Sequence, residues 1–149
     1  MRAVLMTAVG GPEVLKLEDL PEPEITGEHD VLVRLRAAGV NPVDYKLRSH
    51  GTFGNALPAI LGWDGAGVVE RAGPAVTRVW PGEEVYFCDG GFGPAPGTYA
   101  ELKVVDERYL ARLNRRSTTC CTRRRNGLNS AAATSVETAT VTGPWNRST

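Results

Sequence analysis

The chain is expected to fold as a mainly β domain, an antiparallel barrel or sandwich with little helix. Three observations predict it. Short apolar runs recur through residues 1–113, and several alternate with the period of two that suits a half-buried strand. Gly and Pro clusters separate these runs. Only one short segment, opened by Pro42, has the character of a helix.

The elements follow in order. Residues 3–8 form a short apolar strand, closed by Gly10, Gly11 and Pro12. Residues 14–18 alternate as a half-buried second strand, ended by Pro21 and Pro23. The run 31–38 places Val31, Val33 and Leu35 on one face, with Leu32, Arg34 and Arg36 on the other. A short helix or turn is expected at 43–47, started by Pro42. Leu57 and Pro58 open a loop into a strand at 67–71, turned by Gly73 and Pro74. Residues 76–79 lead to a turn at 81–84 and a buried strand at 85–88. A Gly- and Pro-rich loop at 89–97 precedes a last alternating run, 99–105. No internal repeat is visible.

A length of 149 residues suits one ordinary domain. The chain holds 17 basic and 17 acidic residues, and this balance hides a division. Residues 1–113 hold 11 basic and 16 acidic side chains; residues 114–149 hold six Arg and one acid, Glu137. Twelve of those last 36 residues are Ser or Thr, and large apolar groups are few. Too little can be buried there to offset the entropy of ordering, so a disordered tail is expected. The same composition also fits translation in a shifted reading frame, and both readings stand. The tail's arginines could neutralise phosphates, but no aromatic interleaving or recognisable module accompanies them, so no nucleic-acid partner is expected. Cys88 stands alone, Cys120 and Cys121 are adjacent, and no disulfide framework is suggested. The N-terminus has no signal-peptide core, and no run reaches the ~20 apolar residues of a membrane span. The expectation is a soluble cytoplasmic protein without a membrane partner.

Two blocks carry the chemistry. The first runs Gly39-Val40-Asn41-Pro42-Val43-Asp44-Tyr45-Lys46-Leu47-Arg48, the second Leu57-Pro58-Ala59-Ile60-Leu61-Gly62-Trp63-Asp64-Gly65-Ala66-Gly67-Val68-Val69. Gly65-Ala66-Gly67 is no dinucleotide fingerprint, because Glu70 stands where a third small residue is needed and a strand follows. Gly91-Phe92-Gly93 fails in the same way at Pro96. Together the blocks resemble the medium-chain dehydrogenase/reductase family, in its zinc-independent, quinone oxidoreductase-like branch. Zinc-dependent relatives have Cys near the place of Asn41 and Gly-His-Glu where this chain has Gly62-Trp63-Asp64. Amide and indole cannot replace thiolate and imidazole as ligands, so no metal is expected. His29 and His50 lie in separate turns, and Cys88 cannot supply the family's four-cysteine zinc loop.

The resemblance implies a GroES-like, partly open β-barrel over residues 1–113. It implies an NADPH-dependent reductase of quinones or enones, with Asn41, Pro42 and Tyr45 at the nicotinamide and Asn41 and Tyr45 as catalytic groups. Asn41 is equally suited to capping the helix that Pro42 begins, and Tyr45 to packing. Many relatives carry the tyrosine one position later, where this chain has Lys46. Asp44 is expected as a surface or turn contact, and Asp64 as support for the cleft wall. The resemblance stops near Leu113, so the Rossmann half is expected to be missing from these residues. Three readings follow: an inactive truncated enzyme, a subunit completed by a separate nucleotide-binding chain or a dimer partner, or a non-catalytic binding module.

Overall fold

The computed structural model describes residues 1–51, 56–89 and 96–113, all within one compact unit, Met1–Arg116. The tail expected at 114–149 lies outside the described residues, as does most of the loop expected at 89–97. Among the described residues eight strands and one α-helix build the fold. They are β1 (Arg2–Met6), β2 (Leu15–Asp19), β3 (Asp30–Ala38), α1 (Pro42–His50), β4 (Ala59–Ile60), β5 (Asp64–Ala72), β6 (Glu84–Cys88), β7 (Leu102–Asp106) and β8 (Leu110–Arg112). Single 3-10 turns lie at Pro12–Val14 and Glu107–Tyr109.

The strands form two antiparallel sheets, one ordered β2-β1-β4 and the other β7-β3-β5-β6-β8. Neither closes on itself. Residues 99–101 join them: Val4 N–H donates to the Tyr99 carbonyl at 2.8 Å, Glu101 N–H to the Arg2 carbonyl at 3.0 Å and Leu35 N–H to the Glu101 carbonyl at 2.9 Å. A bridge pairs Ala3 with Ala100. Two sheets stitched at one edge make the expected partly open, GroES-like barrel.

The main core fills the larger sheet with Val31, Val33, Val69, Val85, Phe87 and Val105 among its buried side chains. Each such side chain contributes about 1.5–3 kcal/mol by leaving water. Alternation along β3 works as expected for Val31, Val33 and Leu35. Leu32 is the exception. It is fully buried although it shares its face with exposed Arg34 and Arg36, so the first half of β3 is covered on both sides. A second cluster, Met6, Leu47 and Leu61 with Trp63 and Tyr99 packed on it, seats α1 against the small sheet.

Several boundaries differ from those read in the sequence. The helix expected at 43–47 extends to Pro42–His50, because Arg48, Ser49 and His50 continue the turn until Gly51. The strand expected at 67–71 begins at Asp64. Its glycines are strand residues: a Cβ on Gly67 would lie 2.2 Å from the Arg34 carbonyl oxygen, so glycine is what lets β3 and β5 approach. The second strand is less buried than alternation suggested. Leu17 is 65% exposed, because β2 is an edge with its outer face in water. Strands β4 and β8 were not anticipated; two or three residues carry no periodicity to read.

Candidate functional site

The candidate site forms where β3 ends, α1 begins and β5 starts. Pro42 fixes the first helical residue, and Asn41 stands before it as N-cap with extended backbone, φ −114° and ψ 157°. Asn41 and Asp44 form a capping box. Its carboxylate half is firm, with Asn41 N–H donating to Asp44 Oδ2 at 2.7 Å. The Asn41 side chain faces the Asp44 backbone N–H, and its Nδ2 donates to Asp64 Oδ2 at 2.5 Å. Asn41 is therefore half-buried and held at both backbone and amide.

Asp44 is not on the surface. It is 3% exposed, and besides the cap it accepts the Gly62 N–H at 3.2 Å. The surface alternative is thus corrected in favour of a turn contact, because two backbone donors draw the carboxylate inward. Gly62 itself needs glycine: its φ is +99°, and a Cβ would lie 2.3 Å from Thr98 Oγ1. The Tyr99 phenol packs nearby. Burial and then the neighbouring Asp44 carboxylate push its pKa well above the usual tyrosine range. Its hydroxyl and Thr98 Oγ1 are both buried without a hydrogen-bond partner of good geometry.

Asp64 is the first residue of β5 and pairs across the sheet with Cys88, the last residue of β6. Hydrogen bonds from Cys88 and then Asn41 hold its carboxyl below the usual aspartate range. Asn41, Asp64 and Cys88 thus form one chain of hydrogen bonds. Beside it opens a groove of about 530 Å³ lined by Ala38, Gly39, Asp64, Tyr86, Phe87 and Cys88 among others. Tyr86 is 51% exposed at its rim, and the neighbouring Val40 is 82% exposed.

The other predicted residues are placed as follows. Pro42 is exposed. Tyr45, one turn beyond Asn41, is 54% exposed. Trp63 is half-buried against the Met6, Leu47 and Leu61 cluster. Among the described residues no group of three or more His, Cys, Asp and Glu side chains is placed to hold a metal ion. Sequence reading left Cys88 out of the site. Its link to Asp64 depends on the register of two strands, which no local pattern encodes. Sequence reading also missed the burial of Asp44; its cap could have been found, since an acid three residues after an N-cap is a capping-box signal.

Comparison with known proteins agrees with this geometry. The family described as alcohol dehydrogenase GroES-like domain matches residues 27–115. A quinone oxidoreductase from Lama guanicoe is 37% identical over 115 residues, 76% of this chain and 33% of the relative. An NADPH-dependent alkenal/one oxidoreductase, chloroplastic, from Arabidopsis thaliana is 41% identical over 119 residues, 74% of this chain and 30% of the relative. The structure of Escherichia coli quinone oxidoreductase complexed with NADPH superposes with a TM-score of 0.69 at 27% identity, covering 76% of this chain and 33% of that one. This chain thus spans about a third of the length of the curated relatives it matches. With more than half its residues inside the domain family and its sequence similar to these reductases, the chain belongs to the medium-chain dehydrogenase/reductase family, as the N-terminal GroES-like portion of its quinone oxidoreductase-like branch.

Proposed function

We propose that these residues supply the catalytic-domain wall of a zinc-independent, NADPH-dependent reductase of quinones or enones. The observation that carries this reading is Asn41, an uncharged, half-buried amide bonded to Asp64, which lines an open groove. An amide offers donor and acceptor together, so it can orient a carboxamide or a carbonyl oxygen without adding charge. Bound NADPH would supply the hydride; the chain's part is orientation and exclusion of water.

The residues fit one end of this cofactor and not the other. Asn41, the exposed ring of Pro42 and the exposed phenol of Tyr45 suit a flat nicotinamide with its carboxamide. The N-terminus of α1 does not suit the diphosphate, because the Asp44 carboxylate already occupies its cap and would repel phosphate. The diphosphate and adenosine therefore need a separate nucleotide-binding unit, whichever chain provides it.

A carbonyl acceptor would take its polarisation from Asn41 and from water. The wall side where zinc-dependent relatives hold histidine is filled here by Trp63, which supports the metal-free reading. Elemental analysis of the purified chain is expected to find no stoichiometric zinc, and chelators are expected to leave its thermal melt unchanged. One zinc per chain overturns that part.

The 149-residue chain alone is expected to bind NADPH no tighter than about millimolar, worth ~4 kcal/mol. A relative's nucleotide-binding half, supplied in trans, should restore some quinone or enone reduction, and Asn41→Ala should then lower it by about tenfold or more, ~1.4 kcal/mol. Micromolar NADPH binding and quinone reduction by the chain alone would contradict the proposal.

A further inference from the structure

An asparagine amide looks nearly the same from either side, so its usefulness in a site depends on what decides which end is nitrogen. At Asn41 the Asp44 backbone N–H lies on the capping side, and the strong polar contact of the amide is the bond from Nδ2 to Asp64 Oδ2. A carboxylate accepts hydrogen bonds and cannot donate them. It therefore admits the NH2 end of the amide and rejects the carbonyl end.

Asp64 is itself firmly placed. It opens β5, and its carbonyl accepts the Gly39 N–H at 2.9 Å. Its side chain lies where a Cβ on Gly39 would come within 3.1 Å, so the absence of a side chain there leaves room for the carboxylate. From the far side Cys88, its cross-strand partner, donates to the same carboxylate. We propose that Asp64 is the positioning residue for Asn41, its carboxylate selecting the single amide orientation that Asn41 offers to a ligand.

This rests on Asn41 facing the nicotinamide, and two separable readouts test it. The first needs no cofactor. In the 15N-labelled 149-residue chain, the two Nδ2 protons of Asn41 should resonate far apart, one shifted by the carboxylate. Asp64→Asn keeps shape and volume but can donate as well as accept, so it should remove that shift while leaving the backbone spectrum of the barrel in place. Asp64→Glu, which keeps the carboxylate, should retain part of it. A purely packing role would tolerate the isosteric Asn and show no such loss.

If Asp64→Asn disturbs the fold, Cys88→Ala at an exposed position supplies the second variant. Loosening the carboxylate from its other side should move the Asn41 side-chain signal more than that of any asparagine outside the site. An Asn41 signal unchanged in both variants overturns the proposal.

The second readout is titration with reduced nicotinamide mononucleotide. Wild type should show an Asn41 side-chain shift that Asp64→Asn loses and Asp64→Glu partly restores. If the orientation signature behaves as stated and nicotinamide moves no Asn41 signal even in wild type, the positioning role stands and the functional reading of Asn41 fails.

Discussion

Asp44 shows how one carboxylate can hold two segments far apart in sequence. It caps α1 through the Asn41 N–H and reaches 18 residues on to the Gly62 N–H, so the two blocks of the site share one acceptor. Asp44→Ala is expected to cost about 2–4 kcal/mol, since it removes the cap and strands a buried N–H. Urea unfolding of the purified chain measures this, and a loss under ~1 kcal/mol would show that water replaces the carboxylate. The residue pattern of the site was legible where the chemistry is local: Asn before Pro42 reads as a cap. It was not legible where the chemistry crosses strands. Asp64 and Cys88 meet only through the β5–β6 register.

Elements are tied together by buried carboxylates and one buried ammonium. Glu107, 5% exposed, accepts the Thr77 and Arg78 N–H groups at 2.9 Å each and bonds His29 Nδ1 at 2.8 Å. It thereby joins the turn before β3, the segment before β6 and the 3-10 turn after β7. Lys103, on β7, likewise reaches Asp89 at 3.0 Å and the Pro96 carbonyl at 2.5 Å. The Thr77 N–H, then His29 and the Arg78 N–H, hold the Glu107 carboxyl below its ordinary pKa of 4.5. A depressed folded pKa means that the unfolded chain binds the proton more readily. The stabilisation is therefore complete above about pH 4.5 and is lost as pH falls through the folded value. Thermal melts from pH 7 to pH 3 should show a falling Tm, and Glu107→Gln should start lower and fall less steeply over that window. Parallel curves for the two proteins would assign the acid sensitivity to other carboxylates, with Asp64, Glu101 and Asp106 depressed in the same direction.

At the scale of the whole molecule, the buried residues of both clusters fall, among the described residues, between Met6 and Leu110. Residues 114–149 are poor in large apolar groups, so they offer little to bury against a core. Deleting residues 114–149 is accordingly expected to change the unfolding free energy by less than ~2 kcal/mol, a modest share of a typical domain's 5–15 kcal/mol. Comparative urea denaturation of the full and shortened chains measures it, and a larger loss would mean that the tail packs on the barrel.

The sequence by itself determined the mainly β class, the order of most strands and the start of the helix, and it contained the two blocks by which the family is recognised. Those features rest on interactions between near neighbours: alternation along a strand, a proline at a first helical turn, an asparagine that caps it. Only the tertiary structure decided that Leu17 is exposed and Leu32 buried, that β5 begins at Asp64, and that Asn41 bonds to Asp64, which pairs with Cys88. Each of these depends on which strand lies beside which and in what register, and pairing over tens of residues leaves no trace in local spacing.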